Sequence, residues 1–488
     1  MSVRPRSPRD GAGMAAVALV AVIVSFCTML AIGRALGAGT QPALLSAVLT
    51  LGISRRPEHA RGMHAALYPL ALAAVALVAG AVGLLLHTIP IAGAIVFVAG
   101  VFLSIWLRNF GERGRRIGGL IALPFVTMLV VPIGPIHAPG GPRIDLLVVV
   151  AAGLVALGSV RAVGALAARS GLTVPQAQPA PDGAPRARKP GALAIPTRMA
   201  IQMTVALALA FAAGFSLFAH HWGWTVLTAF IVCSGAIGRG DGAYKGLLRL
   251  VGAIAGTAAA SLLTIAWHPA GPPEALAIFV CLYLGLWLRE TNYAYWAACI
   301  TLVLALLAQP SVAATTNVLT LRVAAIFVGA LCAIVATWFV LPIRTTDVIR
   351  RRLSDALLAL DALACDDADD ATPIATRVRT FDRRMHELER VAAPVRIHRR
   401  MLPFADHPEH PGRWIELALD CRRAALATEC AMFDAEQRVR LRRAIGRTRK
   451  AIGAHGKAVA GPRERGVTDA LRDVHAALRE AEIYGYAP

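Results

Sequence analysis

The sequence predicts an all-α, polytopic membrane protein with a separate helical domain at its C-terminal end. Three observations carry this prediction. Apolar runs long enough to cross a bilayer recur from Met14 to Leu341. Hydrophobic residues make up 56% of the 488, and the mean hydropathy is +0.58. After Pro342 the chain turns polar and keeps a helical period. Lipid offers a backbone no hydrogen-bond partners, so the apolar runs are expected as helices rather than strands.

Taken in order, roughly twelve runs are read at 14–33, 40–54, 64–87, 90–107, 117–135, 144–167, 198–219, 223–238, 247–267, 274–289, 294–309 and 318–341. The first follows "RPRSPRD" and exceeds a normal signal-peptide core, with further spans close behind, so it reads as a span. The second and eighth are short. Pro- and Ala-rich "GLTVPQAQPAPDGAPRARKPG" (171–191) reads as a flexible tether. Beyond Pro342, "TTDVIRRRLSDALLALDAL", "IATRVRTFDRRMHELERV", "RWIELALDCRRAALATECAMF" and "DALRDVHAALREAEI" read as amphipathic helices. Loops at 365–373 and 453–466 separate them. The expected organisation is a six-helix repeat over 1–170, a linker over 171–196, a second six-helix repeat over 197–343 and a cytoplasmic helical domain over 344–488.

The repeat rests on matched loops. "SRRPEHARG" (54–62) aligns with "GRGDGAYKG" (238–246), pairing Arg55 with Arg239 and Arg61 with Lys245. His87 then falls on His268, Trp106-Leu107-Arg108 on Trp287-Leu288-Arg289, and Arg143 on Arg322, with three short gaps. Six spans per half make the repeats parallel, related by an axis along the membrane normal.

Charge sets the expected orientation. Residues 1–343 hold 23 Lys and Arg against 8 Asp and Glu, whereas 344–488 hold 27 against 22. Most of the net +20 therefore belongs to the membrane part, which argues against nucleic acid as a partner. With the N-terminus inside, the basic clusters at 4–9, 55–61, 108–116, 186–198 and 239–249 fall on the inner face. Both termini are then expected to be cytoplasmic.

No nucleophile elbow, phosphate-binding loop or metal-ligand spacing occurs, so neither an enzyme nor a metal or cofactor site is expected. Every Asp and Glu before residue 343 falls at or near an expected membrane face. That disfavours a carboxylate-driven cation carrier and favours a path that attracts anions.

Candidate contacts follow. Arg108 and Arg289 end their spans beside Trp, either as interfacial anchors or as an inner pair of cationic gates. Arg143 and Arg322 are their outer counterparts, Arg322 lying about a turn inside its span. Lys245 and Arg249 open a span at the inner face, followed by the Gly252-x-x-x-Gly256 packing signature. His87, His268 and His221 sit near the outer surface, where histidine suits proton coupling and equally suits an exposed loop. Trp224 and Tyr293 serve either an aromatic substrate or the interfacial belt.

"HHWGWTVLTAFIVCSGAIGRGDGAYKGLLRLVGAIAGTAAA" (220–260) resembles the signature of the fusaric acid resistance family, which includes aromatic carboxylic acid exporters. The likeness lies in Trp224, Thr228, Lys245-Gly246, Arg249, Gly252 and Gly256, and in "LRVAAIFVGALCAIVATWFVLP" (321–342) with Arg322 and Gly329. The first half joins it only through the internal repeat. The resemblance implies a bacterial inner-membrane protein that exports aromatic or other amphipathic organic acids, often with a periplasmic adaptor. The expected driving force is the proton gradient, and homo-oligomers are compatible with this plan. A passive organic-anion channel akin to the distantly related plant malate channels is the alternative, as is a membrane scaffold acting through residues 344–488.

Overall fold

In a computed structural model, the chain is helical throughout its described residues. These are 8–54, 67–130, 142–170, 193–219, 221–234, 238–267, 271–289, 291–308, 312–364, 374–389, 391–392, 395, 409–427, 434–454 and 466–484. No strand occurs among them.

Twelve apolar helices come first. They are α1 (Pro8–Ala35), α2 (Gln41–Ser54), α3 (Leu67–Thr88), α4 (Pro90–Trp106), α5 (Gly111–Val130), α6 (Pro142–Arg169), α7 (Ile195–Leu217), α8 (Trp222–Cys233), α9 (Arg239–Trp267), α10 (Pro272–Leu288), α11 (Tyr293–Ala308) and α12 (Val312–Phe339). Six of the twelve contain stretches long and apolar enough to cross a membrane. Many outward side chains are apolar and well exposed, among them Leu70, Ile91, Leu262 and Phe339. In water such a surface would aggregate; in hydrocarbon it costs nothing. This is a multi-pass membrane protein.

α2 and α8 are the short ones, at 14 and 12 residues. At 1.5 Å per residue α8 spans about 18 Å, short of a hydrocarbon core about 30 Å thick. Each belongs to a mutually packed trio: α1, α2 and α6 in one case, α7, α8 and α12 in the other. α4 packs on α7, and α10 packs on α1.

The two copies of Trp-Leu-Arg both end a helix, by different geometry. After Trp106 the chain tightens into a 3-10 turn, Leu107–Phe110, that carries Arg108. Arg289 caps α10 in helical conformation, its N–H donating to the carbonyl of Gly285.

The close of α12 shows how helix ends are satisfied in this setting. Leu341 takes a left-handed conformation at φ 47, which costs a leucine of order 1 kcal/mol. Its carbonyl accepts from Arg198 Nη2 (3.1 Å) and Gln202 Nε2 (3.1 Å), and the carbonyl of Val340 also accepts from Gln202 (2.9 Å). Two polar side chains of α7 thus satisfy carbonyls orphaned by the end of α12.

The chain divides into two compact units. One holds α1–α8, most of α9, and α10–α12; the other holds residues from Pro342 onward with the start of α9. The latter adds α13 (Thr345–Ala364), α14 (Ile374–Glu389), α15 (Pro411–Ala427), α16 (Ala435–Ala454) and α17 (Val467–Tyr484). Their apolar stripes share a core containing Leu353, Leu360, Phe381, Trp414, Leu441 and Leu471. Arg422 donates from Nε (2.9 Å) and Nη2 (2.5 Å) to Asp382 Oδ1, tying α15 to α14. Glu409 accepts from the N–H of Val467 (3.0 Å) at the start of α17 and from Trp414 Nε1 (3.2 Å). A carboxylate there satisfies an orphan donor and complements the helix dipole.

Candidate functional site

The site is built around the short helix α8. Tight packing against α12 is possible because Gly329 has no side chain: a Cβ there would lie 2.3 Å from the Thr225 carbonyl oxygen and 3.0 Å from Thr228 Cβ. Arg322 precedes Gly329 by seven residues, two helical turns, and so shares its α8-facing side. The guanidinium of Arg322 accordingly sits over the indole of Trp224, 5.0 Å from the ring centroid. His221 stacks on the same Trp224, with ring centroids 4.5 Å apart and planes 4° from parallel.

α9 supplies the second cation. Arg249 lies ten residues into α9, and Arg322 ten residues into α12, each about 15 Å from its helix start. Both are 3% exposed. Arg322 lies within electrostatic reach of Arg249.

Among the described residues, neither side chain has an ion pair. Arg249 Nε and Nη1 and Arg322 Nε are buried without a hydrogen-bond partner, and so are the hydroxyls of Thr225, Thr228, Thr257 and Thr301. Native interiors rarely leave such groups orphaned. Two like charges removed from water with no counterion are costlier still, since burying even one ion costs several kcal/mol. An anion placed between them would relieve both the desolvation and the repulsion.

α9 meets α11 through the Gly-x-x-x-Gly signature. A Cβ at Gly252 would lie 2.6 Å from the Ala294 carbonyl, and one at Gly256 would lie 2.3 Å from that of Ala298. Gly246 faces Ile334 and Ala330 of α12 and Val232 of α8. Arg249 precedes Gly256 by seven residues, so this packing also holds it.

The remaining candidates are dispersed. Arg108 lines a cleft of about 30 Å³ with Ser104, Met199, Met203, Phe230 and Ser234. Phe230 and Cys233 lie in the last turn of α8 and Ser234 caps it, whereas Trp224 and Thr225 lie in its first turn, so this cleft is at the other end of α8 from the Trp224 contact of Arg322. Arg289 is exposed and sits over Trp296, 6.0 Å from the ring centroid, while Tyr293 packs with Trp296, Val22, Leu51 and Leu282. Lys245 is half-buried on α9, and His87 is exposed at the end of α3. Arg143 falls in the first turn of α6, its side chain outside the described residues, as is His268 altogether.

Position along the helix is where the structure departs most from the sequence expectation. Arg249 was expected to open its span and Arg322 to lie a turn inside; α9 and α12 both begin earlier, which moves both residues deep into their helices. Thr225 and Thr301 carry no signal in sequence, because a threonine in an apolar run reads as an ordinary helix residue. Arg161, half-buried part-way along α6, is a further cation that a reading focused on span ends passes over.

Residues 205–336 match the family described as fusaric acid resistance protein-like, and that region contains Trp224, Thr225, Thr228, Arg249, Thr301 and Arg322. The chain is also similar to the p-hydroxybenzoic acid efflux pump subunit AaeB of Shigella boydii serotype 4 (strain Sb227) and of Escherichia coli (strain K12). Each is 29% identical over 177 residues, covering 33% of this chain and 27% of the relative. The match therefore spans about a quarter of the length of these curated relatives.

Proposed function

We propose that this protein exports small organic anions, of the aromatic carboxylate type, across a bacterial inner membrane. The observation that carries the reading is the pair of buried arginines, Arg249 and Arg322, with no carboxylate paired to them among the described residues. Likeness to aromatic acid efflux proteins points to the same chemistry. In this reading the carboxylate bridges the two guanidinium groups and the organic body lies against apolar helix faces. Arginine suits the role because its planar fork grips a carboxylate by two hydrogen bonds and stays charged when buried.

Both termini are cytoplasmic in this reading, following the basic loops, and a periplasmic adaptor and self-association are compatible with it. A duplicated six-helix unit draws support from the two packed trios and from the reciprocal contacts α4–α7 and α10–α1. Coupling to the proton gradient has one group in position, His221 on the Trp224 ring. A passive anion channel remains the second reading, because an inside-negative potential favours anion exit by about 2.3 kcal/mol per 100 mV without coupling.

Proteoliposomes loaded with radiolabelled 4-hydroxybenzoate test both. An exporter coupled to protons should respond to an imposed pH gradient at zero voltage. Flux that follows voltage alone would select the channel. Flux of every aromatic acid unchanged in both R249Q and R322Q would sink the site assignment.

A further inference from the structure

We infer that the chain holds one anion site, built entirely within its second half, and that the first half is a closed structural counterpart without a ligand. The inference rests on the proposed anion export and on comparing the two packed trios.

In the first trio the buried hydroxyls of α1 and α2 are satisfied within the trio. Ser25 of α1 and Ser46 of α2 share a hydrogen bond of 2.6 Å, and Ser46 Oγ reaches the carbonyl of Ala152 on α6 at 3.0 Å. Thr50 Oγ1 donates to the Ser46 carbonyl at 2.7 Å. All three hydroxyls are buried and none is left over. The pattern locks the short helix α2 to both of its neighbours and leaves neither of its buried hydroxyls, Ser46 and Thr50, to offer a solute.

In the second trio the same short-helix position carries Thr225 and Thr228, both buried and both unpartnered, with Arg322 on the helix opposite. α9 adds Arg249, whereas α3 meets α6 through Leu72 and Ala76 near Gly153, an apolar contact. Short helices at corresponding positions of a duplicated transporter are where binding sites form. Among the described residues, only one of the two short helices has buried hydroxyls to spare. The ligand chemistry is a single carboxylate or comparable small oxyanion held by both guanidinium groups, with the threonine hydroxyls as further donors. The cleft at Arg108 lies at the C-terminal end of α8, whereas Trp224 and Thr225 of this site lie in its first turn.

Binding to the full-length protein in detergent, by equilibrium dialysis with 4-hydroxybenzoate and separately with inorganic phosphate, tests this. One equivalent per chain is expected. R322Q and T228V should each weaken binding about tenfold or more. S46A should keep the affinity within about twofold while lowering Tm, because it unties a buried hydrogen bond. R322K, which keeps the charge and loses the fork, guards against a variant that fails to fold, and should weaken binding with an unchanged elution profile. Two equivalents per chain, or S46A weakening binding as much as R322Q, would overturn the single-site inference and leave anion export standing. Phosphate bound once per chain through Arg322, with no aromatic acid bound, would overturn the aromatic substrate and leave the single site standing. No saturable binding of either anion would overturn both.

Discussion

Two arginine side chains set the energetics at the scale of the residue. A guanidinium buried in a salt bridge is neutral or mildly costly, but one buried without a partner is strongly unfavourable. Arg249 and Arg322 are of the second kind, and they repel each other. If they served only to hold helices together, removing them would destabilise the protein. The opposite is expected: R249M and R322M should raise the thermal stability of the ligand-free protein, by about 1–3 kcal/mol each, while abolishing transport. Thermal unfolding with and without a saturating aromatic acid checks this, since ligand should raise Tm in the unmodified protein alone. Cys421 makes a second prediction. Burial in the core of the C-terminal unit, reinforced by the nearby Asp420 charge, pushes its thiol from 9.0 up to about 12. It should resist alkylation at pH 8 until that unit unfolds, as mass spectrometry of labelled peptides would report. The sign for stability follows: between pH 9 and about 12 an unfolded thiol ionises and the folded one does not, so this group erodes stability as pH rises.

α8 is the element on which the site depends. It is too short to be a span by itself, and its closeness to α12 comes from the absence of a side chain at Gly329. Any larger residue there pushes α12 away from Thr225 and Thr228 and carries Arg322 off the Trp224 ring. G329L should therefore abolish transport and cost about 1–3 kcal/mol or more of stability, with G329A intermediate. Cysteine cross-linking between α8 and α12 would show the displacement directly. The Gly252–Gly256 signature was legible in sequence as a packing face, since small residues four apart have a physical meaning for helices in lipid. The partner was not legible. Nothing in "GAIAG" says that the opposing surface is Ala294, Ala297 and Ala298 of α11 rather than another alanine-rich helix.

For the whole molecule, the apolar periods, the polar turn after Pro342 and the distribution of Arg and Lys make a membrane protein with a helical appendage readable from sequence. The site was readable only in part. Trp224, Thr228, Arg249 and Arg322 stood out through the family resemblance, yet they stood beside Arg108, Arg289 and Tyr293, whose neighbours in the structure are quite different. Trp-Leu-Arg shows why. Its arginine lines a cleft in one copy and sits over an aromatic ring in the other, because what a side chain meets depends on which helices pack beside it.

What the sequence determined by itself is the solvent: lipid around α1–α12, water around the helices that follow, and acids confined to the ends of the apolar runs or outside them. Those properties are sums over local composition, and local composition survives without knowledge of the fold. Which arginines are buried, and which lack partners, only the tertiary structure decided. Burial and satisfaction are relations between helices, set by how closely Gly329 lets α12 approach α8 and Gly256 lets α9 approach α11. A charge that reads as lying near a span end becomes a candidate anion site once its helix begins ten residues before it and, among the described residues, no carboxylate pairs with it.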